Sequence, residues 1–139
     1  MFEFLFGNKK AKKTKILIVD DEPNIVQTLK DRLEMNEYAV LTAENGKEGL
    51  DTATAEKPDI ILLDVIMPIM DGHEMLEALR KQPDCEDISV IMLTARSQTQ
   101  DIARANACGI EDYIVKPFDL SELLEKIERL VEHKKAVLK

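Results

Sequence analysis

Three carboxylates, a hydroxyl and an ammonium group occupy matching places along this 139-residue chain, each directly after a short, largely apolar run. Ile16-Leu-Ile-Val19 leads into Asp20 and Asp21, Asp59-Ile-Ile-Leu-Leu63 into Asp64, Ile88–Leu93 into Thr94, and Tyr113-Ile-Val115 into Lys116. Carboxylates brought together repel, and each raises its neighbours' pKa unless positive charge intervenes. Lys116 supplies one such charge. A hard divalent cation with oxygen ligands supplies the rest, and Mg2+ suits the set because it accepts one to three carboxylates and keeps waters that a phosphate can replace. Phosphoryl transfer is the chemistry served, since it needs in-line positioning and positive charge around the equatorial oxygens.

The elements that must position these groups are legible in the hydrophobic pattern. Continuous apolar runs of four or five residues suit strands covered on both faces, as in a parallel sheet. Between them lie stretches with helical spacing. Pro23 opens one that places Ile25, Val26, Leu29 and Leu33 on one face. Tyr38–Thr42 reads as a second strand, and Asn45 with Glu48 as a cap with its reciprocal acid, starting a helix that runs to about Glu56. Met67-Pro68 and Asp71-Gly72 form a loop before a helix with Met75, Leu76 and Leu79 inward. Gln98 to Ala107 reads as an Ala-rich helix with few large anchors, stopped by Gly109. Asp119 and Glu122 cap a last helix that buries Leu120, Leu123, Leu124, Ile127, Leu130 and Val131.

Five strands alternating with five helices specify an α/β fold, a doubly wound five-stranded parallel sheet. All strand C-termini then lie along one edge, where ligands bind at the switch point of strand order. Asp20, Asp21, Asp64, Thr94 and Lys116 therefore converge.

Composition agrees with one soluble globular domain: 45% hydrophobic and 33% charged residues at 15.8 kDa. The net charge is −8; the first 15 residues carry +4 (five lysines against Glu3), which leaves −12 for the rest. Such a body repels a polyphosphate backbone, so direct nucleic-acid binding is not expected, whereas cations and basic proteins suit it. Cys85 and Cys108 form no CxxC or zinc pattern and read as reduced thiols of a cytosolic protein. His73 and His133 are isolated and are expected at the surface or partly packed. The opening Met-Phe-Glu-Phe-Leu-Phe followed by Lys9, Lys10, Lys12 and Lys13 is too short to span a bilayer. It reads as a tail outside the domain, ahead of a second reading in which it touches anionic lipid or a partner groove.

The motifs Ile-Leu-Ile-Val-Asp20-Asp21-Glu22, Leu63-Asp64-Val-Ile-Met67-Pro68-Ile-Met-Asp71-Gly72, Thr94-Ala95 and Asp112-Tyr113-Ile-Val-Lys116-Pro117-Phe118 resemble those of the receiver domains of two-component response regulators. The resemblance covers residues 15 to about 133, leaving a tail at 1–14 and a short one at 134–139. It implies a flavodoxin-like sheet of order 2-1-3-4-5. Asp64 would accept a phosphoryl group from a histidine kinase, a phosphotransfer protein or a small donor. Asp21, Asp64 and the Ile66 carbonyl would bind Mg2+ directly and Asp20 through water, while Thr94 and Lys116 would each hold a phosphate oxygen.

The resemblance also implies a cis Lys116-Pro117 bond and a switch in which Thr94 moves toward the phosphoryl group and Tyr113 enters the space it leaves. The changed surface is then helix 4, strand 5 and helix 5, which would serve an unknown downstream protein or a homodimer. The Ala-rich fourth helix supplies mobility. Ile66 and Arg96 flank the path of a hydrolytic water, and bulky Ile66 is expected to slow loss of the phosphoryl group. Ile69, where many relatives have glycine, is expected to be neutral.

Three other readings compete. An aspartate-based Mg2+ phosphohydrolase usually has a second acid at the position held here by Ile66. A flavodoxin-like cofactor binder needs a Ser/Thr/Gly-rich phosphate loop where Asp20-Asp21-Glu22-Pro23 stands. A degenerate receiver would lack part of the set. With eight residues after Val131, a stand-alone receiver fits the visible chain better than a fragment of a longer regulator.

Overall fold

The computed structural model describes residues 12–95 and 100–138. The Phe-rich opening segment and Arg96 lie outside the described residues. Five strands, β1 (Lys15–Val19), β2 (Ala39–Ala43), β3 (Ile60–Asp64), β4 (Ser89–Ala95) and β5 (Asp112–Lys116), alternate with five helices. These are α1 (Pro23–Met35), α2 (Gly46–Glu56), α3 (Gly72–Arg80), α4 (Ile102–Ala107) and α5 (Leu120–Leu138). The strands form one sheet in the order β2-β1-β3-β4-β5, and every neighbouring pair is parallel.

Side chains on a strand alternate between faces, so a continuous apolar run feeds two cores at once. Leu17, Val19, Ile61, Leu63, Val90 and Met92 pack against Ala53 of α2, Met75, Leu76 and Leu79 of α3, and Ala105 of α4. Ile16, Ile18, Ile60, Leu62, Ile91, Leu93 and Ile114 pack on the other face against Leu29 and Leu33 of α1 and Leu123, Ile127, Leu130 and Val131 of α5. The chain leaves β1 for β2 on one side and returns to β3 on the other. β1 and β3 therefore flank the switch point, with Asp20-Asp21 and Asp64 at their C-terminal ends.

Helix ends differ in detail from the sequence expectation. Asn45 Oδ1 accepts from Glu48 N (2.9 Å), but the reciprocal capping box is at α3. There Asp71 Oδ1 accepts from Glu74 N (2.9 Å) and Glu74 Oε1 accepts from Asp71 N (3.0 Å). Gln100 and Asp101 form a tight turn before α4, which is shorter than the expected helix; Gln98 and Thr99 lie outside the described residues. Gly109 follows α4 at φ +76°, as a stop residue requires. The last helix runs on to Leu138, past residue 133 where the receiver resemblance ends. Among the described residues no helix is long and apolar enough to cross a membrane.

Ile69 is not neutral. It sits at φ +71° with 79% of its surface exposed, so a β-branched residue occupies the left-handed region without packing to offset it. That conformation costs about 1–2 kcal/mol for an L-residue. Glycine removes the clash but adds freedom to the unfolded chain, worth about 0.5–1 kcal/mol the other way. We expect Ile69→Gly to raise the urea midpoint at constant m-value, by the equivalent of about 0.5–1 kcal/mol.

Candidate functional site

The acidic cluster forms at the β1 and β3 termini because each strand stops at its carboxylate. One carboxylate oxygen each from Asp20, Asp21 and Asp64 lies within 4.8 Å of the others; Asp20 and Asp64 are buried, Asp21 exposed. Asp20 Oδ1 accepts from Glu22 N (2.9 Å), which shapes the turn into α1 and fixes its side chain. Asp64 is held from below by the following loop, where Gly72 N donates to Val65 O (2.7 Å). A Cβ at residue 72 would lie 2.2 Å from Asp64 O, so only glycine lets the start of α3 come this close.

Lys116 reaches into the cluster from the end of β5, and the Lys116-Pro117 bond is cis. Its Nζ lies 2.8 Å from Asp20 Oδ2, 3.2 Å from Glu22 Oε1 and 3.4 Å from Asp64 Oδ1. Burial weakens the ammonium, but the hydrogen bond to Asp20 and the charge of Asp64 outweigh it and raise the Lys116 pKa. Asp64 is pushed up from 3.8 to about 6, chiefly by burial and then by the Asp20 charge, with Lys116 acting the opposite way. One ammonium thus stands among four carboxylates. The residual negative charge, the oxygen-only donors and the close spacing fit a hard divalent ion.

A carboxyl that binds its proton more tightly when folded weakens the fold once ionised. The penalty is absent below pH 3.8 and complete above about pH 6. With a discount for solvent screening it amounts to about 1–2 kcal/mol. Asp64→Asn is therefore expected to be more stable than the parent at pH 8 in metal-free buffer. The two should converge at pH 4, as read from urea midpoints.

The remaining expected residues stand further out. Thr94 is buried at the end of β4 and its hydroxyl donates to Ala95 O (3.2 Å). Tyr113 lies on β5, opposite Met92, and is 41% exposed. Ile66 follows Asp64 on the loop, with 64% of its surface exposed. Glu22 joins the Lys116 ion pairs, a role its place in the Asp-Asp-Glu motif did not announce. Two residues of α3 also escaped the sequence reading. His73 is buried rather than at the surface or partly packed. Arg80 Nε donates to Cys108 O (2.8 Å), Nη1 to Cys85 O (3.1 Å) and Ile88 O (2.9 Å), and Nη2 to Gly109 O (2.8 Å). Both fall on the stripe of Leu76 at spacings of three and four, and that spacing was the available signal. Cys85 and Cys108 are free thiols.

The family of the response regulator receiver domain matches residues 16–128. The chain belongs to that family. Among solved structures, a CheY-like receiver domain protein from Methanospirillum hungatei superposes with TM-score 0.82 at 34% identity, over 90% of this chain and 99% of that one. The signal receiver domain of a histidine kinase from Syntrophus aciditrophicus gives 0.79 at 38% identity, over 86% of this chain and 91% of that one. A probable transcriptional regulator, ycf27, of Cyanophora paradoxa is 43% identical over 119 residues, which are 86% of this chain and 48% of that protein. The transcriptional regulatory protein PrrA of Mycobacterium tuberculosis is 37% identical over 120 residues, 86% of this chain and 51% of that protein. The receiver thus spans about half the length of these curated relatives. Receivers of this kind are signalling switches of two-component systems, and the sheet order is the flavodoxin-like one.

Proposed function

We propose that this receiver is a phosphorylation-activated switch in which Asp64 accepts a phosphoryl group from a histidine kinase or phosphotransfer protein. The observation that carries the proposal is the meeting of Asp20, Asp21 and Asp64 around Lys116 at the switch point of the sheet. An Asp64 carboxylate oxygen attacks phosphorus in line, and the bond to the donor nitrogen or oxygen breaks with its electron pair leaving on the donor. Asp21, Asp64 and the Ile66 carbonyl would hold Mg2+, with Asp20 bound through water. That ion supplies positive charge that keeps Asp64 ionised and neutralises the phosphoryl oxygens. Lys116 pairs with one of those oxygens and the Thr94 hydroxyl donates to another.

Phosphorylation adds about −1.5 to −2 charge. Thr94 then turns from Ala95 O toward the new group, and Tyr113 moves into the space beside it. The readout is the α4-β5-α5 face, offered to a downstream protein or to a second receiver in a homodimer. α4 suits this role: it has six residues, one buried side chain (Ala105), and a surface pair in which Arg104 Nε and Nη2 donate to Glu77 (2.9 Å each). The acidic body leaves nucleic acid outside the receiver's own contacts. The free thiols suit a cytoplasmic site.

The test is incubation with acetyl phosphate and Mg2+, followed by intact mass. A stable phosphate-mass adduct that is absent in Asp64→Ala supports the switch, whereas continuous phosphate release at high turnover identifies a phosphohydrolase instead. Exposed Ile66 covers the approach of water to the acyl phosphate. Ile66→Asn should therefore shorten the adduct lifetime roughly tenfold, equivalent to about 1.4 kcal/mol in barrier; an unchanged decay rate would refute this role.

A further inference from the structure

His73 is the unexplained group of this domain. It lies in the first turn of α3, is 5% exposed, and among the described residues neither Nδ1 nor Nε2 has a hydrogen-bond partner. A buried imidazole left without partners costs free energy that a leucine at the same place would not. Buried polar side chains are almost always satisfied, and this ring has both nitrogens open to a partner that another state of the domain could bring.

The neighbours say which state. His73 lines a small cavity of about 10 Å3 together with Thr94 and Met92 of β4, Ile102 and Ala105 of α4, and Asp101 just before α4. In parallel pairing, register partners project on the same face. Met92 pairs with Tyr113 and Thr94 with Val115, so Tyr113 emerges from the edge strand β5 on the face that carries this cavity. In the present state Tyr113 is 41% exposed and the Thr94 hydroxyl donates to Ala95 O. When Thr94 turns toward a phosphorylated Asp64, the cavity widens at its β4 wall. α4 is short and buries one side chain, Ala105, so the opposite wall can give way. A tyrosine that enters carries a phenolic hydroxyl out of water, and a buried tyrosine hydroxyl requires a partner.

We propose that His73 is a positioning residue of the switch: its ring accepts a hydrogen bond from the Tyr113 hydroxyl when Tyr113 turns inward after phosphorylation. This rests on the phosphorylation reading above and extends it to a residue outside the phosphoacceptor site. The bond stabilises the inward state selectively, because in the outward state both groups lack each other. His73 thereby shifts the balance of the switch without touching the phosphoryl group.

The test uses the full chain with 15N-labelled histidine and 13C-labelled tyrosine, with and without Mg2+ and beryllium trifluoride, a stable stand-in for aspartyl phosphate. The expected result is a shift of one His73 ring nitrogen on loading, absent in Tyr113→Phe. His73→Leu should lower the inward population of Tyr113 about fivefold, the change one neutral hydrogen bond supports, and His73→Gln should recover most of it. Loading at Asp64 with His73 nitrogens unmoved, or moved equally in Tyr113→Phe, overturns the role of His73 and leaves the phosphorylation reading intact. No loading at Asp64 overturns both. If His73→Leu fails to give a folded amide spectrum, the Tyr113→Phe and His73→Gln arms still decide.

Discussion

Lys116→Met should lower the rate of Asp64 phosphorylation from acetyl phosphate about 100-fold, the usual loss when one preorganised group facing developing charge is removed. The Lys116 Nζ is within 3.4 Å of Asp20, Glu22 and Asp64, and methionine keeps most of its length without the charge. A second effect follows from burial. The Asp20 side chain is fully buried, and among the described residues the hydrogen bond from Glu22 N is what it keeps without Lys116. Removing one partner of a buried ion pair costs about 3–5 kcal/mol. The same substitution leaves more unbalanced negative charge for a divalent ion, so millimolar Mg2+ should recover much of the lost stability. The phosphorylation rate should stay low, because the ammonium that pairs with a phosphoryl oxygen is still missing. Urea midpoints with and without Mg2+, set beside adduct formation followed by intact mass, separate the two. A Lys116→Met protein that phosphorylates at the parental rate would remove the lysine from the chemistry.

Arg80→Met should destabilise the receiver by about 3 kcal/mol, from the loss of a charged donor set and the desolvation of the carbonyls left behind. Cys85, Ile88, Cys108 and Gly109 belong to the two turns that precede β4 and β5, and a single guanidinium from the end of α3 fastens both. Arg80→Lys should recover little, because one ammonium cannot reach acceptors spread over two turns with the fork of a guanidinium. Neither substitution touches the acidic cluster, so adduct formation at Asp64 should persist at temperatures where the domain remains folded. Thermal midpoint and adduct formation read these two outcomes apart; a midpoint within a degree or two of the parent would exclude the clasp.

The sheet and the acidic site were legible from local pattern for one physical reason. A strand buried on both faces must be apolar at every position, so the first polar residue after the run marks its end. In a parallel sheet all such ends share one edge, so Asp20, Asp21, Asp64 and Lys116 meet there, with Thr94 further out near the end of β4. What the tertiary structure decided depends on pairings between backbone groups and between distant elements. The Arg80 acceptors are main-chain carbonyls, which every residue type carries, so no residue type signals them. The backbone angle of Ile69 is fixed by the closure of the loop between Asp64 and Gly72, where Met70 O accepts from Gly46 N (2.9 Å). His73 is buried where α3 meets β4 and α4, and the apolar spacing of α3 alone gives no sign that a ring with two polar atoms would stand there with no partner among the described residues. Local chemistry therefore placed the charges, and the packing of one element on another decided which of them share an ammonium, which turns are clasped and which polar ring is buried.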